Sequence, residues 1–158
     1  MKEIPRLTIE LVPKTCWFSN VRSEVTGKAW DKIRRAVAQA AGQCCEVCGG
    51  RGPKWPVECH EVWEYRDETR VQRLVRMIAL CPDCHQVKHM GLANVKGKGE
   101  EAVNHLAKIN GWGIEEANRY VESAFDLWNQ RSQVEWTLDL TALRQYGVDP
   151  EQSLRPSF

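Results

Sequence analysis

The stretch CPDCHQVKH, Cys81 to His89, sets two cysteines at Cys-x-x-Cys spacing beside two histidines four positions apart. Thiolate and imidazole are the side chains that bind zinc and related transition metals. A second Cys-x-x-Cys pair, Cys45 and Cys48, lies upstream in CCEVCGG. Each pair follows or enters a tight turn, and two such knuckles supply the four thiolates of a closed tetrahedral zinc site. Cys45, Cys48, Cys81 and Cys84 are therefore the expected structural zinc ligands. Cys44 is an alternative to Cys45 at a looser Cys-x-x-x-Cys spacing. Cys16 and Cys59 read as buried small apolar residues, the usual fate of a free thiol. CPDCH also matches the haem-attachment pattern, but that chemistry belongs mostly to exported proteins and would leave Cys45 and Cys48 without a role. A two-cysteine, two-histidine finger needs about a dozen residues between its pairs, and the separation here is far longer.

With four thiolates committed, His85 and His89 are left over. At i and i+4 they share a helix face and suit a second metal ion. Alone, such a pair is equally at home on a solvated helix. A third polar group aimed at the same point shifts the balance. His60 on a preceding strand is the candidate, with Glu58 or Glu61 assisting.

The elements that must position these groups are legible as periodicities. RLTIELV alternates Leu7, Ile9 and Leu11 against Thr8 and Glu10, which predicts a short strand. Thr26 to Gly42 predicts a helix with the stripe Trp30, Ile33, Val37 and Ala40 and a basic opposite side of Lys28, Lys32 and Arg35. VECHEVWEY predicts a strand with Val57, Cys59, Trp63 and Tyr65 on one face and Glu58, His60 and Glu64 on the other. LVRMIAL, Leu74 to Leu80, predicts a more buried strand. A short helix is expected from Cys84 to Met90, and ANVKGKG, Ala93 to Gly99, is expected to be a basic loop. Glu101 to Ile109 and Ile114 to Gln130 predict helices, the latter with Ile114, Ala117, Val121, Ala124, Leu127 and Trp128 as its stripe. VEWTLDL alternates again and is expected to pair with RLTIELV.

A chain of 158 residues fits a single domain, here of α+β class with flanking helices and short terminal strands. Its net charge of +1 excludes a globally basic nucleic-acid binder, so any such binding must rest on local patches. Seven cysteines, an odd number, argue against a disulfide framework. MKEIPRLTIELVPK has no apolar signal-peptide region, and no apolar run approaches the ~20 residues of a membrane span. A cytoplasmic protein with no membrane partner is expected.

CEVCGG, VECHEVWEY and LCPDCHQVKH together resemble the HNH endonuclease family in its four-cysteine, zinc-stabilised branch. The matching stretch is residues 45–91, with 1–44 and 92–158 as flanking extensions packed on it. The resemblance implies a ββα-metal core braced by the zinc, and hydrolysis of phosphodiester bonds in DNA with a divalent cation such as Mg2+ or Mn2+. It implies His60 as general base and His85 and His89, with Glu58, as ligands of the catalytic ion. A second alignment makes His60 a ligand and Glu61 the base. The sequence departs from the family in the pair Cys59-His60 and in having no asparagine between His60 and Cys81, where Arg76 stands near the expected place. Lys28, Lys32, Arg35, Lys88, Lys96 and Lys98 are the expected phosphate contacts. Two readings from other classes stand beside the nuclease. One is a zinc-stabilised nucleic-acid-binding module without catalysis. The other is a protein-interaction domain, since seven tryptophans could include an exposed patch. Oligomeric state is open, a homodimer included.

Overall fold

In the computed structural model, which describes residues 4–16 and 20–153, a single turn of helix, α1 (Val21–Glu24), leads into α2 (Gly27–Ala40). Thr26 starts α2: its hydroxyl accepts the Ala29 N–H, satisfying one of the donors that a helix start leaves open. Ala29, Ile33 and Val37 are the buried face. The cysteine-bearing loop follows and delivers the chain to β1 (Glu58–Arg66), which turns back into β2 (Val71–Leu80). The two strands are antiparallel, with His60 opposite Ile78 and Glu58 opposite Leu80. Then come α3 (Pro82–Lys88), α4 (Met90–Val95), α5 (Gly99–Asn110) and α6 (Ile114–Arg131). A short β3 (Thr137–Asp139) completes a three-stranded sheet in the order β1-β2-β3. The chain closes with a 3-10 turn (Thr141–Tyr146) and α7 (Pro150–Ser153). The fold is mixed α and β, and no helix among the described residues is long and apolar enough to cross a membrane.

The hairpin divides two hydrophobic cores. One gathers Leu80, Val87, Met90 and Leu106 with Leu7 and Ile9. The other gathers Ile33, Val37, Leu74, Met77, Ala79 and Leu143, with Val57, Cys59 and Trp63 against it. The predicted apolar face of β1 is therefore the face that meets α2, and His60 looks the other way. In β2 the register slips between Val62 and Trp63, whose partners are Arg76 and Leu74, so Val75 is an extra residue. Strand side chains alternate, and one inserted residue reverses the phase. That is why Leu74, as well as Met77 and Ala79, points into the second core.

Four expectations need correction. RLTIELV is not a strand. Its alternation is real, with Leu7 and Ile9 buried, but no sheet edge lies beside it. Asn110 accepts from the Leu7 N–H and donates to its carbonyl, Tyr120 receives the Ile9 N–H, and Trp128 Nε1 donates to the Val12 carbonyl. Backbone groups need partners, and here side chains of α5 and α6 supply them. VEWTLDL pairs instead with β2, in parallel, through Thr137 to Asp139 only. ANVKGKG is a loop only from Lys96, because α4 continues to Val95. On α6, Ala117, Val121 and Ala124 pack inward as expected, but Ile114 and Leu127 are exposed, the stripe having turned toward Tyr120 and Phe125.

Ile33 is fully buried between α2 and the hairpin. Ile33→Ala should destabilise the chain by about 2–5 kcal/mol in chemical denaturation, the usual cost of an aliphatic truncation in a close-packed core. The four-cysteine cluster, which belongs to the other core, should keep its metal content.

Candidate metal centres

The sulfurs of Cys45, Cys48, Cys81 and Cys84 lie within 4.8 Å of one another. Two loops bring them there. In the first, Gly49 takes φ +76°, a backbone region that suits glycine. This lets the chain fold back so that the Cys48 N–H points at Cys45 Sγ and the Gly50 N–H at Cys48 Sγ, at 3.5 and 3.3 Å. Glu46 fastens this knuckle to the end of β2: its backbone N–H donates to the Ala79 carbonyl and its carboxylate accepts the Ala79 N–H at 2.6 Å. In the second, Cys81 is the residue before α3, and Pro82 follows at the first helical position, where the missing N–H costs nothing. Cys48 and Cys81 sulfurs are 3.6 Å apart. Two thiolates on one tetrahedral zinc, each at about 2.3 Å, stand roughly 3.8 Å apart. The geometry suits such an ion. Cys44 is outside the group, which decides between the two spacings in favour of Cys45.

The electrostatics agree. Cys45 is drawn down to about 4, chiefly by the Cys84 thiol, against the rise from burial and with help from the backbone N–H groups of Cys48, Cys81 and Val47. Burial pushes Cys81 up to about 11, and Cys84 rises because Cys45 already carries the charge. Four adjacent thiols cannot ionise together unless a cation takes the charge. His105 Nε2 lies 3.2 Å from Cys84 Sγ, close enough to donate to it. Nothing in the sequence spacing pointed to His105. Cys16 is buried as expected, whereas Cys59 is half-buried; both thiols are pushed up mainly by desolvation.

The second cluster is histidine. One nitrogen each of His60, His85 and His89 falls within 4.8 Å of the others. His85 Nε2 and His89 Nε2 are 3.1 Å apart, and the His60 ring is 5.1 and 5.0 Å from theirs, edge to face. Neighbouring ligands at about 2.1 Å from one ion stand roughly 3.0–3.4 Å apart. Burial first, then the neighbouring His60 and His85, hold His89 down at about 3, and burial lowers His85. Both are neutral at pH 7, the form that binds metal.

Carboxylates surround the trio. Glu58 Oε2 is 2.6 Å from His85 Nδ1. That contact leaves His85 Nε2 facing His89, the arrangement by which a carboxylate fixes the tautomer of a metal-binding histidine. Glu58 thus stands behind His85. Glu61 Oε2 lies 4.0 Å from His60 Nδ1, and its other oxygen accepts the Val21 N–H. Its side chain belongs to the α2 side of β1. Glu10, which the sequence showed only as the polar face of a supposed strand, sits 3.3 Å from His60 Nε2. Its other oxygen is 3.2 Å from the Lys88 ammonium, which also donates to Thr8 Oγ1 at 2.6 Å. Burial would raise Glu10, but His60 and Lys88 together keep it below the usual carboxylate value.

Lys88 is therefore not a surface phosphate contact: it is 4% exposed and committed to Glu10 and Thr8. Of the other expected basic residues, Lys28 and Arg35 are exposed on α2, while Lys32 donates to the Gly147 carbonyl. Lys96 and Lys98 are exposed in the α4–α5 turn, which belongs to the other core. Trp55 is the one exposed aromatic residue among those described, so there is no tryptophan patch; Trp17 lies outside them.

Comparison with known proteins finds no matching family model, no matching curated protein and no matching solved structure.

If the cysteine cluster holds zinc, binding supplies folding free energy on the order of 10 kcal/mol. Purified protein should carry about one equivalent through that cluster. Cys45→Ser should lose it and melt at lower temperature, whereas Cys44→Ser should keep it. Equal zinc content in the two variants would contradict the assignment.

Proposed function

We propose that this chain is a metal-dependent nuclease of the HNH type, in which β1, β2 and α3 form a ββα-metal core braced by zinc on the four cysteines. The observation that carries this reading is the convergence of His60, His85 and His89, from β1 and the α3 region, on one point. A divalent cation there would polarise a phosphodiester and stabilise the charge that develops on it.

His60 acts in this reading as the third ligand rather than as the base. Its Nε2 faces the carboxylate of Glu10, and its Nδ1 is buried with no hydrogen-bond partner beside Glu61. A cation at Nε2 would take that end of the ring and leave a proton on Nδ1, turned toward Glu61 at 4.0 Å. Glu58 then orients His85 from behind. Glu10 is the carboxylate on the open side of His60, where it can align a water and take its proton. Lys88 keeps it ionised. The asparagine absent from the segment between the strands has no replacement there, since Arg76 binds Glu46 and the Met77 carbonyl instead. Glu10, from outside the segment, would do the orienting.

Supercoiled plasmid with Mg2+ or Mn2+ tests the reading. His85→Ala and His89→Ala should lose nicking and recover part of it at raised metal. His60→Ala should do the same; a loss that metal cannot repair would return His60 to the role of base. Glu10→Gln should cost ~10²–10⁴-fold, the usual weight of a proton-transfer group, and Glu61→Gln far less. Absence of cleavage of any DNA or RNA with Mg2+, Mn2+, Ni2+ or Zn2+ would leave the zinc-stabilised nucleic-acid-binding module as the function.

A further inference from the structure

A groove of about 980 Å³ opens along the free edge of β1, between α2 and the loop that carries Trp55. Val37, Val57, Cys59 and Ala79 contribute apolar lining, and the groove reaches Glu58 and His85. It therefore reaches one member of the histidine trio, beside the Glu58 carboxylate that holds it. Its α2 side carries Arg34 and Arg35, with Arg22 set over the Trp30 ring at 5.9 Å. The opposite loop also carries Arg51 and Lys54, both exposed. Asp31 lines the groove too, but its carboxylate is taken up by Arg34 at 2.9 Å.

Trp55 is the telling residue. More than half of it is exposed, at 52%, although the chain has two cores that could bury it. Its ring is not loose. Nε1 donates to Glu58 Oε1 at 3.1 Å, and the other oxygen of Glu58 meets His85 Nδ1 at 2.6 Å. An exposed indole is thus held in fixed orientation to the candidate metal centre.

We infer that this groove seats an unpaired nucleic-acid strand, with a base stacked on Trp55 and the backbone phosphates along Arg22, Arg34 and Arg35. The inference rests on the nuclease reading and names the form of substrate that the site receives. Three features select a single strand. Base faces are available for stacking only when unpaired, and a basic groove with an aromatic platform is how unpaired strands are held without sequence preference. A duplex is read by an element that protrudes into its grooves, whereas this surface is recessed. The volume lies at the upper end of small-molecule pockets, enough for nucleotides threaded singly.

Fluorescence anisotropy of the zinc-loaded full chain tests this without any cleavage. Labelled oligothymidylate, oligouridylate and a blunt two-stranded duplex are titrated with no added divalent ion, and zinc content and circular dichroism confirm each variant's fold. The oligothymidylate should bind more tightly than the duplex; the oligouridylate reports whether DNA or RNA is preferred. Trp55→Ala should weaken single-strand binding ~10–100-fold, and Trp55→Phe should keep most of it. The double variant Arg34→Glu, Arg35→Glu should weaken binding and flatten its dependence on salt. Duplex bound as tightly as single strand, or Trp55→Ala without effect, overturns the inference. Cleavage and binding fail separately. Single-strand binding by a protein that cuts nothing would sink the nuclease reading alone, and nicking that persists without single-strand preference would sink the groove alone.

Discussion

Four thiols held within 4.8 Å of one another can sit together neutral but cannot ionise together unless a cation joins them. One can ionise, as Cys45 does, but its charge then opposes ionisation of Cys84. A dication held there would resolve the conflict and tie together the Cys45–Cys48 knuckle, the end of β2 and the start of α3. It would brace the start of α3 and with it His85, the residue after Cys84. The hydrogen bonds of Glu46 to Ala79 reinforce the same corner from the backbone side.

The histidine trio depends on that corner in turn. His60 is supplied by β1 and His85 by α3, so the two meet only if strand and helix keep their angle. Glu58 aims the His85 ring through its Nδ1, while Glu61 stands 4.0 Å from His60 Nδ1, too far to hydrogen-bond. Three imidazoles packed edge to face, two of them held low by burial, could together hold a cation. Glu58 has a second attachment, to Trp55, which connects the groove to the same centre.

Much of this was legible in the chain because it follows short-range rules. The zinc cluster was read from paired Cys-x-x-Cys spacing, the hairpin from alternation around His60 and Leu74–Leu80, and α2 from the Ile33–Val37 stripe. What escaped detection depends on partners distant in sequence. RLTIELV has the pattern of a strand, and only the position of Asn110, Tyr120 and Trp128 shows that side chains take its hydrogen bonds. Lys88 has the charge of a surface residue, and only Glu10 and Thr8 explain its burial. Glu58 and Glu61 were visible as acids near histidines, but whether an acid stands before or behind a ring is a matter of three-dimensional direction. The slip at Val75 is invisible to any fixed period.

The manner in which the N-terminal segment is held has a consequence for the order of assembly. Its backbone is anchored by α5 and α6, more than 100 residues away in sequence, and only from that anchored segment does its carboxylate reach His60. The four-cysteine corner spans only residues 45 to 84, so it can close while the chain is still being made. Glu10 cannot dock until Asn110, Tyr120 and Trp128 exist. Contacts between distant segments form late because loop closure is costly before other contacts reward it. A chain so arranged would close its four-cysteine corner early and bring Glu10 against His60 last, so the surroundings of the histidine trio are complete only when the whole fold has closed.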